Sequence, residues 1–400
     1  MEGFILEWLN LLGRWVHIIT GIAWIGASFY FVFLDRSLEK PKVQADLDKG
    51  VGGEIWSVHG GGFYHAQKYT VAPEKLPETL HWFKWEAYST WLSGIFLFGL
   101  IYWYGAEIYL IDPSVMELSQ FAAIAISIGF IAGGWVFYDL LCKSPLGNKE
   151  NILAFIMLVF VSVTAYALCH IYSGRGAYIM FGAVLGTIMV GNVFFVIIPG
   201  QKDLVKAKEE GRDPDPIHGI RGKQRSVHNT FFTLPVLFVM ISNHYASTFG
   251  HEFNWLILIA ISVAGACIRV YFVSRHGDGE PQVGAAIVGV AILVLTSFVL
   301  ALGLVAANQS NGSATNVSMQ QVEEIISTRC QTCHSSQPTQ PGFSSPPKGI
   351  VYDSSEQILS QASSINQQAV VSKIMPIGNL TGITDSERKM LGDWYQSLNK

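Results

Sequence analysis

The chain contains 400 residues with a formal net charge of −4, and 50% of its residues are hydrophobic while only 14% are charged. Soluble proteins carry charge on about a quarter of their residues, so this composition excludes an ordinary soluble protein for most of the length. Five cysteines are too few for a disulfide framework. Three of them, Cys142, Cys169 and Cys267, are predicted to be small buried side chains. We expect membrane lipid, and no nucleic acid, as a partner.

The apolar residues are gathered into long runs. A helix needs roughly 20 apolar residues to cross the hydrocarbon core of a bilayer, and eight runs approach that length. Aromatic residues stand at many of their ends, as they do at membrane interfaces. The sequence therefore predicts an all-α membrane domain in the first 306 residues, with eight spans at residues 8–34, 86–104, 119–141, 151–170, 178–198, 230–246, 252–273 and 282–306.

Lys and Arg residues between the predicted spans set the orientation. The loops on one side hold 17 of them and the loops on the other side hold one. Because cytoplasmic loops are the ones enriched in Lys and Arg, the amino terminus is predicted to be periplasmic, and an even number of spans returns the carboxyl terminus to the same side. The expected location is the bacterial inner membrane. The first run is too long for a cleaved signal peptide and follows acidic residues, so it is predicted to remain as a span.

A second domain is predicted after the last span. Residues 307–316 are polar and rich in Gly, Ser and Asn, a composition typical of a flexible linker. The apolar residues Val322, Ile325 and Ile326 then recur at helical spacing. Together with the C-x-x-C-H motif at Cys330, Cys333 and His334, a pattern typical of haem attachment, this spacing predicts a small α-helical domain of the class I cytochrome c type over residues 317–400, on the periplasmic side.

The motif C-x-x-C-H at Cys330, Cys333 and His334 is typical of covalent haem c attachment. Two thiols three positions apart can reach two vinyl groups on one edge of a porphyrin, and the histidine that follows is directed to the iron. The alternatives are a zinc site or a redox dithiol. Zinc needs a second pair of ligands, and the tail sequence has no other Cys or His.

The sixth iron ligand is expected in an irregular segment farther along the tail. Met375 lies between a Lys-Ile pair and a Pro-Ile-Gly turn, and a His/Met pair is a common ligand set of cytochromes c. Met319 and Met390 are the alternatives. Met319 precedes the first helix. Met390 lies inside a helix that is predicted to begin with a capping box formed by Thr384 and Glu387, so both methionines are expected to be structural.

Three histidines inside or at the ends of the spans are candidate haem ligands. Ionisable groups in spans are costly and often functional. His17 is followed by Gly21 and Gly26, which leave flat space on one helix face, and His170 and His244 lie at the same side of the membrane. We expect a haem b bound by this layer. The alternative is that His17 hydrogen-bonds a neighbouring helix and that the glycines permit close helix packing.

Four charged residues near the span ends have expected roles. Arg14 and Arg175 are predicted on the periplasmic side, where they could pair with haem propionates. Asp139 and Arg269 approach the cytoplasmic side, and we expect a structural ion pair between them.

The two long cytoplasmic loops carry the candidate catalytic residues. The first loop combines His59 and His65 with tyrosines, a glutamine and three consecutive glycines, which indicates a folded segment that meets a planar ligand. In the second loop Arg221, Arg225 and His228 could hold an anion. Two alternatives stay open. His59 and His65 could be ligands of a second haem, and the loop cations could be present only because cytoplasmic loops are rich in Lys and Arg.

Several stretches of this chain together resemble one family, the bacterial membrane-bound urate oxidases, or urate hydroxylases, with a carboxy-terminal cytochrome c domain. The similarity runs nearly end to end, and it rests on WVHIITGIAWIG at 15–26, SVHGGGFYH at 57–65, LHWFKWEAY at 80–88, HNT at 228–230 and MPIGNLTG at 375–382.

The resemblance implies oxidation of urate to 5-hydroxyisourate, with the oxygen supplied by water and two electrons passed to the cytochrome without hydrogen peroxide. A terminal oxidase or a soluble cytochrome would then accept the electrons. His59 or His65 would serve as the base, and Arg221 would hold the urate anion. The alternative is an electron-transfer subunit that accepts electrons from quinol or a partner dehydrogenase and has no substrate chemistry of its own.

Overall fold

The structure is a computed structural model, and it describes residues 2–276, 279–310 and 317–398. The chain is mostly helical, with one β-hairpin in the first long loop. In chain order the described elements are α1 (Glu2–Arg36), α2 (Gln44–Asp48), β1 (Val51–His59), β2 (Gly62–Tyr69), α3 (Trp85–Phe98), α4 (Ala106–Tyr109), α5 (Gln120–Lys143), α6 (Glu150–Cys169), α7 (Gly174–Gly191), α8 (Ile198–Glu209), α9 (Pro216–Ser242), α10 (Ala246–Phe249), α11 (Asn254–Ser274), α12 (Val283–Ser310), α13 (Met319–Arg329), α14 (Ser355–Ser360), α15 (Ala362–Ile365) and α16 (Asp385–Ser397).

Each of the eight predicted spans falls on one of these helices. In the described part of the chain, six helices are long and apolar enough to cross a membrane: α1, α5, α6, α7 with its continuation into α8, α11 and α12. The helix α3 is short, and a turn of π-helix at Gly99–Trp103 interrupts it. The helix α9 begins with a polar stretch, and only its second half is apolar.

The first long loop forms an antiparallel hairpin, so the prediction of an all-α fold is incomplete. Strands β1 and β2 pair from Val51 with Tyr69 to His59 with Gly62. Gly60 and Gly61 both have positive φ, 58° and 81°, which suits a tight two-residue hairpin turn. The third glycine of the run opens β2. The glycines that suggested a folded loop therefore build its turn.

Helix α7 lies at the centre of the membrane domain, packed by α5, α6 and α9. Its Tyr178, Phe181 and Ile188 side chains are completely buried. By contrast, α12 packs mainly on α11 and exposes most of its apolar side chains. The core of the bundle is therefore organised around α7, with α12 at its edge.

The carboxy-terminal domain has a core of its own. Val322 and Ile326 of α13 are completely buried, as is Leu391 of α16, and Trp394 packs with them. The predicted capping box at Thr384 is confirmed, since its side chain and that of Glu387 satisfy each other's backbone amides. Helix α12 extends to Ser310, and residues 311–316 of the predicted linker lie outside the described residues.

Two adjacent glycines of α5 test the packing against α7. A Cβ atom on Gly134 would lie 2.7 Å from Cγ1 of the buried Val184, whereas a Cβ atom on Gly133 would meet nothing within 4 Å. We expect Gly134→Ala to destabilise the domain by about 1–3 kcal/mol through overpacking. Gly133→Ala is the matched control and should be neutral or slightly stabilising because alanine favours the helix. Thermal unfolding in detergent measures both, and equal melting temperatures would contradict the packing described.

Candidate functional site: a histidine-lined cavity and its surroundings

A cavity of about 340 Å³ lies between α1, α3, α7 and α9. This volume falls within the roughly 300–1,000 Å³ of small-molecule sites. Its lining is largely apolar, but His17 from α1 and His244, which follows α9, both contribute to it. Two of the three histidines predicted to share a haem layer therefore line one cavity.

Small residues open this space. Gly21, Gly94 and Gly186 line the cavity. A Cβ atom on Gly94 would lie 3.0 Å from Cε1 of His17, so the glycine leaves room for the imidazole. A Cβ atom on Gly186 would meet nothing within 4 Å and would project into free space. Of the two glycines that follow His17 in sequence, Gly21 lines the cavity and Gly26 does not.

Hydrogen bonds orient the His17 ring. Its Nδ1 atom lies 3.0 Å from the carbonyl oxygen of Thr90 and 3.0 Å from Oγ of Ser93. With Nδ1–H donating to the carbonyl, Nε2 is left with its lone pair. This is the usual arrangement of a histidine that binds a metal through Nε2. The interhelical hydrogen bond that was the alternative to haem binding is therefore present, and it is compatible with ligation.

Polar side chains also line this cavity. Asn243 donates from Nδ2 to the Tyr102 hydroxyl over 3.3 Å, and its Oδ1 atom is buried without a hydrogen-bond partner among the described residues. Arg14 lines the cavity, whereas the Arg175 guanidinium lies over the Phe249 ring, 5.7 Å from its centroid. The pairing of Arg14 and Arg175 with haem propionates stays a prediction. The two histidines, the glycine cradle and Arg14 are compatible with a haem b.

His170 is not brought to this cavity. It follows α6, where its Nδ1 atom lies 2.7 Å from the Tyr166 carbonyl oxygen and its ring packs 4.0 Å from the Tyr166 ring. It does not line the cavity that His17 and His244 share. The structure therefore separates His170 from the other two candidates.

A buried polar network joins α5, α7 and α9. The Tyr138 hydroxyl lies 2.8 Å from Nδ1 of His228 and accepts a hydrogen bond from Asn192 over 3.2 Å. Arg225 is 3% exposed, donates to Asn192 over 3.2 Å and forms an ion pair with Asp139 at 2.9 Å. The buried guanidinium is satisfied by these partners, so Arg225 is a structural group and not a free anion ligand.

The predicted ion pair between Asp139 and Arg269 is wrong. Asp139 pairs with Arg225 and also with Lys143, at 2.6 Å. The Arg269 guanidinium instead lies over the Phe29 ring, 3.8 Å from its centroid. The sequence alone does not show that Asp139 on α5 lies beside Arg225 on α9.

The hairpin presents His65 as an oriented imidazole. Its Nε2 atom lies 2.8 Å from a carboxylate oxygen of Glu54, and its ring stacks on Trp56 at 4.2 Å. Residues 54 and 56 alternate along β1 and therefore share a face, opposite His65 on β2. His59 stands exposed at the hairpin turn.

Asp35 connects the hairpin to α9. This residue at the end of α1 pairs with Lys68 of β2 and, at 3.0 Å, with Lys223 of α9. Arg221 is exposed one turn before Arg225. The hairpin and the start of α9 thus lie side by side, but His228 belongs to the buried network, and its hydrogen bonds link it to neither His59 nor His65.

The C-x-x-C-H motif forms a turn directly after α13. The amides of Cys333 and His334 both donate to the Cys330 carbonyl, over 3.2 and 2.9 Å. The His334 Nδ1 atom lies 3.1 Å from the Ile350 carbonyl oxygen, which again leaves Nε2 free. Burial raises the pKa of the Cys330 thiol to about 12, so the thiol is neutral at pH 7.

Met375 packs against the core of the same domain. Its amide donates to the Gln368 carbonyl over 3.0 Å, and its carbonyl accepts a hydrogen bond from Arg388 over 2.7 Å. Met319 and Met390 also pack against this core. The backbone of Met375 is therefore fixed from both sides, as a ligand-bearing loop requires.

The first three quarters of the chain match a known protein family. Residues 3–301 match the family described as urate oxidase N-terminal. The chain belongs to this urate oxidase family. No curated protein and no solved structure matches the chain. Family membership indicates an oxidoreductase that acts on urate, and the match ends before the domain that carries the C-x-x-C-H motif.

Several residues of this urate oxidase family member escaped sequence reasoning. Tyr102 and Asn243 line the cavity, while Tyr138 and Asn192 belong to the buried network. Glu86, at the start of α3, has a buried carboxylate oxygen without a partner among the described residues. Polar residues inside apolar runs were the available signal, since such residues need partners in a membrane.

Histidine substitutions test the cavity as a haem site. We expect His17→Ala and His244→Ala to lose a non-covalent haem that acid solvent extracts, because each removes one lining nitrogen ligand. His170→Ala is the control and should retain it, since His170 lies outside the cavity. Pyridine haemochrome analysis of the extract measures the haem stoichiometry. If His17→Ala retains all of its non-covalent haem, the cavity is not the haem site.

Proposed function

We propose that this chain is a membrane-bound urate oxidase that converts urate and water to 5-hydroxyisourate. The reaction also yields two protons and two electrons. The electrons pass through haem to the chain's own cytochrome c domain and then to a terminal oxidase or a soluble cytochrome, without forming hydrogen peroxide. The observation that carries this proposal is the cavity lined by His17 and His244 in a chain of the urate oxidase family.

The proposed topology has eight spans in the bacterial inner membrane, with both termini periplasmic. Six helices of sufficient length and apolarity support it, together with the loop charges. In this topology the hairpin and the start of α9 face the cytoplasm, where urate is met. The cavity and the C-x-x-C-H domain lie toward the periplasm. Oxidation and electron exit therefore take place at opposite faces.

On the cytoplasmic face, His65 is the better of the two candidate bases. Its Nε2–H donates to Glu54 over 2.8 Å, so Nδ1 is the atom that accepts a proton from urate or water. A carboxylate that orients an imidazole also stabilises the imidazolium that forms. His59 lacks such a partner in the described structure and serves at most to contact substrate. Arg221 is exposed and available for the urate anion, unlike Arg225.

Two haem groups fit the residues toward the periplasm. A haem accepts and releases single electrons through its iron. His17 and His244 would hold the iron of a haem b, and Arg14 and Arg175 its propionates. In the tail, Cys330 and Cys333 would attach haem c, with His334 and Met375 as its iron ligands. The His17 and His334 rings are both held at Nδ1 by backbone carbonyls, which directs Nε2 toward the metal.

The proposal is tested by adding urate to the purified protein without oxygen. We expect urate consumption together with reduction of haem c. Because one urate supplies two electrons, each urate consumed without an external acceptor should reduce two haem irons, counted over haem c and the cavity haem. His65→Gln should slow the reaction, while His251→Gln, at a half-buried histidine outside both the hairpin and the cavity, is its control. If urate persists and only a quinol reduces haem c, the chain is an electron-transfer subunit and the proposal fails.

Met375 is tested by its optical signature. Met375→Ala should abolish the absorption band of a methionine-ligated ferric haem and lower the reduction potential, because the thioether favours the ferrous state. Met390→Ala removes a methionine of the same core from α16 and should keep the band. An unchanged spectrum in Met375→Ala would assign the sixth ligand elsewhere.

A further inference from the structure

The loop that carries Met375 rests on the outer surface of the membrane domain. A Cβ atom on Gly378 would lie 3.1 Å from the Ile111 carbonyl oxygen and 3.4 Å from that of Ile108. Ile374 packs against the core of the membrane domain. Across the same contact, a Cβ atom on Gly250 would lie 2.7 Å from the Ser372 carbonyl oxygen. The two domains approach at the backbone because glycine stands on each side.

The surface beneath this loop is held firmly by α7. At the start of that helix, Ser173 donates from Oγ to the Tyr109 carbonyl over 2.8 Å and from its amide to the Leu110 carbonyl over 2.9 Å. Leu110 is completely buried. Asp112 at the end of the segment interacts electrostatically with Arg388 of the tail. Residues 105–112 therefore form a fixed platform, which we call the exit platform.

An aromatic series runs from the cavity to this platform. Phe98 and Tyr102 both line the cavity, and their rings stack at 5.1 Å. The Tyr102 ring lies 6.4 Å from the Tyr109 ring. The tail packs directly on the segment that holds Tyr109, since the Ile108 and Ile111 carbonyl oxygens lie 3.4 and 3.1 Å from the position of a Cβ atom on Gly378. Tyr109 thus stands between the cavity wall and the Met375 loop.

We propose that the exit platform is the electron exit of the membrane domain, with Tyr102 and Tyr109 bridging the cavity to the tail domain that carries haem c. Because Gly378 has no side chain, the Met375 loop can pack closely against the platform. The inference rests on the proposed function, because it takes haem in the cavity and in the tail as given. It adds the residues that connect the two.

The electron balance on the bridge is simple. One electron crosses at a time, which oxidises a ferrous haem in the cavity and reduces a ferric haem c. No bond forms or breaks, and oxidation of one urate requires two crossings. Burial raises the pKa of the Tyr109 phenol, with Arg175 and Arg14 opposing and Cys333 reinforcing that change, so the phenol keeps its proton at neutral pH. Both tyrosines act as neutral rings.

The docking part is tested by hydrogen exchange on the full-length protein. Gly378→Val should expose the exit platform and lose amide protection at residues 105–112. Gly349→Val is the matched control, because Gly349 also has positive φ in the tail but a Cβ atom there meets nothing within 4 Å. It should keep the protection. If Gly378→Val also loses the methionine band, Gly250→Val repeats the test from the membrane domain. Unchanged protection in a folded variant of either kind would overturn the docking.

The bridge is tested without urate. A photoreduced flavin delivers electrons to the oxidised protein, and absorbance follows the first-order phase in which the cavity haem is reoxidised as haem c is reduced. Tyr109→Leu should slow this phase several-fold, whereas Tyr109→Phe, which keeps the ring, should match the parent. The midpoint potential of haem c should stay unchanged in both. Equal rates in Tyr109→Leu and the parent would overturn the bridge. If electron transfer between the two haems is normal in a protein that urate does not reduce, the proposed function is contradicted and the bridge is not.

Discussion

The fit of α1 against α3 through glycine, beside the cavity that α7 also lines, is the constraint on which the rest of the molecule depends. Gly94 leaves room for the His17 ring, and Gly186 leaves open space in the same cavity. Larger side chains at these points would close the gap between the helices. Because the backbone carbonyl of Thr90 also orients His17, the same helix contact both opens the cavity and aims its first nitrogen ligand.

Polar groups inside the bundle divide into two kinds. In the network around Arg225, nearly every donor meets an acceptor, and Asp139 neutralises the guanidinium. Such a network stabilises the packing of α5, α7 and α9 only because it is satisfied. At the cavity, by contrast, Asn243 keeps a buried oxygen without a partner in the described part of the chain. A buried polar atom costs free energy unless a partner satisfies it, so such an atom is typical of a site that binds a ligand.

Sequence reasoning succeeded where a short local pattern implies its own geometry. The capping box at Thr384, the buried face of Val322 and Ile326, and the helical runs all follow from spacing along one chain segment. It failed where partners come from different segments. The pairing of Asp139 with Arg225 in place of Arg269, and the exclusion of His170 from the cavity, depend on how α5, α6 and α9 are packed.

By itself, the sequence determined a helical, lipid-compatible chain with a C-x-x-C-H motif in a separate tail, because hydropathy and motif spacing are properties of contiguous residues. Only the tertiary structure decided that His17 and His244 share a cavity and that Glu54 orients His65. It also decided that the segment holding Tyr109 lies under Gly378 of the tail. These relations arise from helix rotation and strand register, and a rotation of one residue would aim each side chain elsewhere.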